Sequence, residues 1–370
     1  MTRTRAALLG SVLVAGTLMA ASAAARAAGS SYIGQFHTVS TLASTVPANG
    51  DVNPYGVAVV PRTIGNLTQG NVLVSNFNAS SNLQGTGTTI VQVTPGGNVS
   101  LFAQIDPSHL PGSCPGGVGL TTALSVLSSG WVIVGSLPTT DGTAATAKAG
   151  CLLVLNSSGT VVETIAGGAI NGPWDMAALD LGNSAVLFVS NVLNGTVAAN
   201  GAVVNQGTVA RLVLVLPHGH APILVSEKVI GSGFSERTDP AALVVGPTGL
   251  GLAPNGTLYV ADSVNNRIAD IPNALFRVNS ANAGRDVTAN GAVNDPLGLA
   301  IAPNGDILSV NGNDGNIVET TPAGTQIDVK TLDSSGSPPG AGTLFGLAVV
   351  PGGNGVYFVD DGTNTLNLLH

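Results

Sequence analysis

The chain has 370 residues and a formal net charge of -8, with 20 acidic against 12 basic residues. Only 9% of its residues are charged, compared with about 25% in an ordinary soluble domain, so Gly, Ser, Thr and Asn supply most of its polar groups. No cluster of Lys or Arg occurs in the sequence, which argues against nucleic acid as a partner.

The first residues carry the pattern of a secretory signal peptide. Arg3 and Arg5 precede an uncharged run, rich in Leu, Val and Ala, that ends at Ala25. Small residues around Ala27 suit a signal-peptidase site, so we predict cleavage near Ala27 or Ala28. A membrane anchor is the alternative interpretation of this run.

These features predict the domain organisation and the location. We expect a signal peptide over residues 1–28 and a single domain over residues 29–370. No later segment contains the roughly 18 uninterrupted apolar residues of a membrane span. The mature chain is therefore expected to have no membrane span and to be exported, either periplasmic or secreted.

Two cysteines, Cys114 and Cys151, follow the predicted leader. An oxidising compartment permits them to pair, so we predict a disulfide between them. The alternative is a pair of small buried side chains.

The remainder of the sequence repeats itself. The clearest unit runs from Pro247 to Ile268 and predicts strand, tight turn, strand, turn and strand. Its Pro254-Asn255-Gly256 segment suits a hairpin turn, because proline presets φ and Asn-Gly tolerates positive φ. Looser copies of the unit begin at Pro54, Val118, Pro173, Pro296 and Phe345.

Each unit offers a third strand and usually a fourth, which is the composition of a propeller blade. We therefore predict an all-β fold, a six-bladed β-propeller with four-stranded antiparallel blades. The last copy is one strand short after Thr365–Leu369. We expect the N-terminal segment from Gln35 to Leu42 to supply the missing outer strand and to close the ring through backbone hydrogen bonds.

The motifs P-x-G-L, P-N-G, L-Y-V-A-D and N-N-R-I occur in this order, almost complete from Pro247 to Ile268 and partial in the other five units. This pattern resembles the repeat of the NHL family, and the resemblance extends from about residue 54 to the C-terminus. It implies a six-bladed ring with a central channel. Members of the family include binding modules and enzymes, so the fold does not settle the function.

Two classes of residue are expected to converge on one rim of the ring, where each inner strand starts and each second strand ends. The first class follows the proline of the repeat and comprises Tyr55, Val118, Trp174, Thr248, Leu297 and Phe345. The second class ends the second strand and comprises Asn76, Ser136, Asn191, Asp262, Asn311 and Asp361. These small polar residues form either a ring of ligands or a set of caps that bond to the backbone at strand ends.

The first class tests one enzymatic interpretation. Lactonases of the gluconolactonase and senescence-marker family share this ring and place metal-binding Asn and Asp at those positions. Here the positions are apolar, aromatic or Thr, so the oxygen ligands of a hard divalent ion are missing there. No metal motif is visible elsewhere in the sequence. A bound divalent ion is kept as an alternative.

The histidines offer little support for a metal site. His218 and His220 are the only close pair, and the flanking Pro217 and Pro222 predict a hairpin turn between the outer strands of blade three. No third ligand lies nearby in sequence, so we predict no metal there. Lyases of the virginiamycin kind use channel histidines on such a ring, but His37, His109 and His370 fall in predicted outer strands or loops.

Asp175 is the most distinctive departure from the repeat, because it replaces the glycine at the start of an inner strand. A carboxylate facing a channel is costly without partners, so Asp175 is the candidate catalytic residue or ligand-orienting group. The alternative is a turn aspartate bonded to backbone amides.

Long polar loops follow the second strands of blades one to three, over residues 76–87, 137–149 and 192–207. Long loops on a rigid scaffold often carry binding sites. We expect them to bound a cleft on one half of the rim, with its floor near Tyr55, Trp174 and Asp175. The candidate ligand-binding residues are Tyr55, Asn76, Trp174, Asp175, Asn191, Asp262, Asn311 and Asp361.

These features favour an extracytoplasmic binding protein that uses the rim loops of blades one to three. Its expected partner is a small polar molecule, a glycan or a protein segment. The alternative is an extracytoplasmic hydrolase or lyase with its site at the channel mouth. No nucleophile elbow, zinc helix or phosphate loop occurs in the sequence.

Overall fold

Six antiparallel sheets make up the fold, and each sheet corresponds to one sequence repeat. The structure is a computed structural model and describes residues 30–370. The predicted signal peptide lies outside the described residues. The predicted six-bladed β-propeller is confirmed.

The strands are numbered along the chain. β1 (Val39–Ser44) precedes the first blade. Blade one contains β2 (Val52–Val59), β3 (Val72–Asn78), β4 (Thr89–Val93) and β5 (Val99–Gln104). Blade two contains β6 (Leu120–Val126), β7 (Val132–Ser136), β8 (Cys151–Leu155) and β9 (Val161–Ile165). Blade three contains β10 (Pro173–Asp180), β11 (Ser184–Asn191), β12 (Val204–Val215), β13 (Ile223–Asp239) and β14 (Leu243–Val245).

The second half follows the same order. Blade four contains β15 (Pro247–Leu252), β16 (Leu258–Asp262), β17 (Arg267–Ile271) and β18 (Arg285–Ala289). Blade five contains β19 (Pro296–Ile301), β20 (Ile307–Asn311), β21 (Asn316–Thr320) and β22 (Gln326–Thr331). Blade six contains β23 (Leu344–Val349), β24 (Val356–Asp360) and β25 (Thr365–Leu369). Within the described part, one α-helix, α1 (Thr196–Ala199), and three short 3-10 helices lie in connections between strands, and a fourth 3-10 helix precedes β1.

The inner strands β2, β6, β10, β15, β19 and β23 contact one another around a central channel. Apolar side chains on both faces of each blade pack against the neighbouring blades, and Phe188 of β11 packs with Leu250 and Val260 of blade four in this way. Burial on both faces explains the nearly continuous apolar runs of strands such as β3 and β16. The hydrophobic core therefore lies between the blades.

The N-terminal strand closes the ring, as predicted. β1 pairs antiparallel with β25, and Val39 lies opposite Leu369. The backbone N–H groups of His37 and Thr38 also donate to the carbonyl oxygen of His370. The strand lies a few residues later than the predicted segment from Gln35 to Leu42, because the preceding residues form a 3-10 helix, Ile33–Gln35.

Blade three departs from the repeat. β12 and β13 are much longer than the other outer strands, and β13 continues past the blade to pair with the short strand β14. The turn between β12 and β13 contains His218 and His220, as expected, and both side chains are exposed there. This extension carries the chain back over the channel.

Cys114 and Cys151 form a disulfide with a Cα–Cα distance of 5.2 Å. The bond joins the connection before β6 to the first residue of β8, so it cross-links two parts of blade two. Among residues 30–370, no helix has both the length and the apolar character of a membrane span.

Candidate functional site

Aromatic rings line the rim at which the inner strands begin. The ring of Tyr55 stacks on those of Phe345 and Phe77, with centroid distances of 3.9 Å and 4.4 Å, and Trp174 lies 6.3 Å away. These four side chains are 0–3% exposed. Four members of the predicted first class therefore do converge, and they form an apolar cluster: Tyr55, Trp174, Leu297 and Phe345. Val118 packs elsewhere, in the core between blades one and two.

The segment from Ala242 to Val245, which includes β14, covers this cluster. Leu243 and Val244 line a remaining cavity of about 10 Å³ together with Tyr55 and Trp174. The indole Nε1 of Trp174 donates to the carbonyl oxygen of Val244. The structure thus corrects the prediction of an open cleft with Tyr55 and Trp174 at its floor, because both side chains are buried beneath this segment.

Loops from blades one to three hold the covering segment in place. The Nε2 of Gln84, in the blade-one loop, donates to the carbonyl oxygen of Pro240 at 2.8 Å. Thr139, in the blade-two loop, donates through Oγ1 to the carbonyl oxygen of Gln84. The long loops therefore lie together on one side of the rim, where they form a closed cover.

The second class of residues occupies one register position in five of the six blades. In four blades the polar residue pairs with the proline of the repeat, at or near the start of the inner strand: Asn76, Asn191, Asp262 and Asn311. In blade six, β24 ends at Asp360, which lies opposite Leu344, and the predicted Asp361 follows the strand. In blade two, Ser136 lies opposite Leu120, so Thr121 rather than Val118 occupies the position of Tyr55.

Four of these predicted ligand-binding residues are fully buried and bonded to neighbouring turns. Asn76 donates to the carbonyl oxygen of Thr45, Asn311 donates to that of Ala292, and Asn191 accepts from the N–H of Asn171. Asp262 accepts from Nε of Arg267 at 2.7 Å. The interpretation of these residues as caps of strand ends accounts for the geometry, since a ligand at the rim does not reach them.

Asp361 is half-buried beside the covered rim. Burial, and in second place the negative charge of Asp360, raises the pKa of Asp361 to about 7. The same carboxyl group contributes to the strongly raised pKa of the buried Tyr55 hydroxyl, for which burial is the main cause. Asp361 therefore belongs to the polar border of the aromatic cluster.

Glycine allows the inner strands to approach one another in four blades. A Cβ atom on Gly298 would lie too close to the carbonyl oxygen of Phe345, and one on Gly346 would collide with that of Tyr55. Blade three has Asp175 at this position, and its side chain crosses to blade four. There Asp175 Oδ2 accepts from the backbone N–H of Leu250 at 2.8 Å.

Asp175 lies inside the channel, one residue below the covered aromatic cluster, and is 8% exposed. Burial raises its pKa to about 7, and the N–H groups of Leu250 and Met176 offset part of this effect. No ion pair to Asp175 occurs among the described residues. The carboxyl group therefore changes its charge near neutral pH without a cationic partner.

Asp175 and residues from all six inner strands line a cavity of about 50 Å³ on the channel axis. Thr122 of β6 lines the same cavity, and its Oγ1 is buried without a hydrogen-bond partner. The other side chains are mainly apolar, among them Leu124, Leu299 and Leu347. The cavity thus combines a few polar groups with an apolar wall.

The channel opens toward the rim opposite the cover. Trp174 and Asp175 at the start of β10 are buried, whereas Ala177 is half-buried and Ala178 is exposed. β19 and β23 likewise change from buried to half-buried at Ala300 and Ala348. Solvent therefore reaches the channel from the far ends of the inner strands, and Asp175 lies buried above that opening with 8% exposure.

Sequence reasoning missed the cover and the role of Thr122. The run from Ala241 to Val245 before Gly246-Pro247 was one available signal, because five apolar residues ahead of an inner strand need a place to be buried. The Thr121-Thr122-Ala123 segment was another, since it stands where other repeats have glycine. No group of three or more His, Cys, Asp and Glu side chains with metal-binding geometry occurs within residues 30–370.

No protein-family model matches the sequence, and no curated protein matches it significantly. Solved structures do match. A gluconolactonase from Xanthomonas campestris aligns with a TM-score of 0.52 and 13% identity, over 89% of this chain and 88% of that chain. A streptogramin B lyase aligns with a TM-score of 0.53 and 13% identity, over 90% of this chain and 97% of that chain.

A third structure is regucalcin, a calcium-binding protein from Agrobacterium tumefaciens. It aligns with a TM-score of 0.53 and 11% identity, over 89% of this chain and 93% of that chain. Sequence identities this low show a shared fold and do not assign the residues of a functional site. The chain shares the six-bladed β-propeller fold with these three proteins.

Proposed function

We propose that the chain is an extracytoplasmic binding protein of the NHL-repeat type. Its ligand is a small polar molecule that carries a cationic or hydrogen-bond-donating group. This group enters the open end of the channel and reaches Asp175. The loops of blades one to three hold the cover that closes the other end.

The observation that carries this proposal is the position of Asp175. A carboxyl group replaces a glycine on the channel axis, among apolar side chains, and no cationic side chain within residues 30–370 pairs with it. Burying a carboxylate in this way costs free energy that the fold alone does not require. A ligand with a positive charge or N–H donors would compensate for that cost.

Thr122 adds a second polar contact. Its buried Oγ1 lacks a partner within the described residues, and an unpaired buried hydroxyl costs about 1–3 kcal/mol. A donor or acceptor on a bound molecule would satisfy it. The cavity of about 50 Å³ holds only a small head group, so the rest of the ligand would lie in the wider opening.

The extracytoplasmic location is part of the proposal. It is supported by the signal-peptide pattern that follows Arg3 and Arg5, and by the Cys114–Cys151 disulfide, since disulfides persist mainly in oxidising compartments. N-terminal sequencing of protein recovered from the periplasm and from the medium tests the location directly. A chain recovered uncleaved from the cytoplasm would contradict it.

A size-matched pair of cations tests the channel site. We expect methylammonium to raise the melting temperature of the wild-type protein at about pH 8, where Asp175 is ionised. Tetramethylammonium carries the same charge and is too large for the inner cavity, so it should have a smaller effect. Asp175→Asn should abolish the difference between the two cations.

The control is Asp141→Asn, because Asp141 is an exposed loop carboxylate. This variant should retain the full response to methylammonium. Equal responses to both cations, or a response unchanged in Asp175→Asn, would refute a cation-binding channel.

A hydrolase or lyase is the second candidate. The observation that favours it is the pKa of Asp175, because a carboxyl group with a pKa of about 7 suits general acid–base catalysis at neutral pH. Metal analysis of the purified protein, together with a lactone and ester substrate panel, tests this candidate. Turnover that survives Asp175→Ala would exclude Asp175 as its acid or base.

A further inference from the structure

A second cavity lies on the surface between blades four and five, away from the channel. It has a volume of about 300 Å³ and is lined by Asn266, Asn290, Gly291, Ala292, Val293, Asn294, Asp314 and Asn316. Its size is at the lower end of the range of small-molecule sites. We call it the asparagine pocket.

The wall formed by residues 290–292 is clamped from both sides. The backbone N–H of Asn290 donates to the carbonyl oxygen of Asn266 at 2.7 Å. The amide of Gln326 bonds to both ends of the same turn, since it donates to the carbonyl oxygen of Asn290 and accepts from the N–H of Ala292. This wall is therefore ordered before any ligand binds, which reduces the entropic cost of binding.

The opposite wall is held by a network of side chains. Asp314 accepts from Nδ2 of Asn294 at 2.8 Å and from Nδ2 of Asn311 at 2.9 Å. It also accepts from the backbone N–H of Asn316. The carboxylate of Asp314 is thus bonded to protein donors, and no Lys, Arg or His lines the pocket.

Several amide groups in the pocket are left without protein partners. Asn266 and Asn316 use only their Oδ1 atoms, which accept from the N–H of Asp295 and from Oγ1 of Thr331. Their Nδ2 groups make no hydrogen bond to a described residue, and the side chain of Asn290 makes none at either end. The pocket therefore presents three amide N–H₂ donors and one free amide oxygen on walls whose backbone is held by hydrogen bonds.

We propose that the asparagine pocket binds a carbohydrate, most simply a terminal sugar residue. A sugar ring offers neighbouring hydroxyl groups that both accept and donate, which matches amides with free N–H₂ and C=O groups. Since the lining has no cation and one already bonded carboxylate, an uncharged polyhydroxyl ligand fits better than an anion or a metal ion. Ala292, which is half-buried, supplies a small apolar contact for its C–H groups.

Saturation-transfer difference NMR with D-glucose, D-galactose and N-acetyl-D-glucosamine tests the proposal. We expect one or more of these sugars to give a signal with the wild-type protein. The variant Asn290→Ala/Asn316→Asp removes two sets of donors and keeps the acceptor for Thr331. It should bind about tenfold more weakly.

The matched control is Asn279→Ala, because Asn279 is also an exposed asparagine on blade four and does not line the pocket. It should leave the sugar signal unchanged, and both this control and the double variant should keep a melting temperature close to that of the wild type. The channel variant Asp175→Asn should also leave the sugar signal unchanged. The proposals for the asparagine pocket and for the channel site are therefore tested independently. No signal with any of the sugars, or a signal equal in the double variant, would overturn the proposal.

Discussion

The indole Nε1 of Trp174 lies 3.1 Å from the carbonyl oxygen of Val244, and this bond joins the inner strand of blade three to the segment that covers the channel. We predict that Trp174→Phe destabilises the protein by about 1–3 kcal/mol, because the buried carbonyl group loses its donor and the indole leaves a void. Urea unfolding measures this change.

Trp131 provides the control for that experiment. Trp131 directly precedes β7, is half-buried and lies outside the aromatic cluster. Trp131→Phe should cost clearly less free energy than Trp174→Phe. Equal costs would mean that the covering segment is not held by the indole.

Asp175 should make stability depend on pH. Its pKa is raised from 3.8 to about 7 in the folded chain, so the unfolded chain releases this proton at lower pH than the folded chain does. The contribution of Asp175 is most favourable below pH 3.8 and is lost as the pH rises through about 7.

Asp175→Asn removes this loss and keeps an acceptor for the N–H of Leu250. We therefore expect the variant to be more stable than the wild type at about pH 8, by up to about 4 kcal/mol, and to lose this advantage near pH 4. Unfolding curves at several pH values measure the difference. The stability of Asp141→Asn relative to the wild type should instead fall as the pH rises, since hydrogen bonds from Thr146 and Thr143 lower the pKa of Asp141.

Gly298 should be intolerant of any side chain. A methyl group there would meet the carbonyl oxygen of Phe345 on the next inner strand, so Gly298→Ala should destabilise the ring by about 1–3 kcal/mol. Gly96 has a free neighbourhood and no left-handed backbone angle, so Gly96→Ala should be nearly neutral. Thermal unfolding of the two variants tests the close approach of the blades.

The disulfide should contribute measurably to stability. Cys114 and Cys151 are 37 residues apart in sequence, and closing a loop of that size stabilises a fold by about 3–4 kcal/mol. Reduction should lower the unfolding midpoint of the wild type and leave that of Cys114→Ala/Cys151→Ala unchanged. A wild type insensitive to reductant after complete reduction would contradict this expectation.

The ring could be predicted from the sequence because its signals are local. Each repeat contains the residues that form its own strands and turns, such as the hairpin turn Pro254-Asn255-Gly256 in blade four. Blade six lacks one strand in its own repeat, which indicates that the N-terminal segment supplies it. Asp175 could be singled out for the same reason, since it interrupts a repeated glycine. Two positions deviate from the repeat, because Thr121 takes the place predicted for Val118 in blade two and β24 ends at Asp360 instead of Asp361.

The cover could not be derived in this way, because it depends on contacts between distant residues. Trp174 and Val244 are separated by 70 positions, and the local sequence around either residue does not predict a contact with the other. The length of β13 also depends on packing above the blade and not on a turn signal. The asparagine pocket likewise arises only when the turns of blades four and five meet.

The covering segment turns the axis of the propeller into a blind passage. A polymer cannot thread through such a passage from one side of the molecule to the other. Only the tip of a long molecule, or a molecule small enough to enter whole, reaches the carboxyl group at the bottom, and it must leave by the way it came. Recognition on the axis is therefore restricted to chain ends and compact solutes.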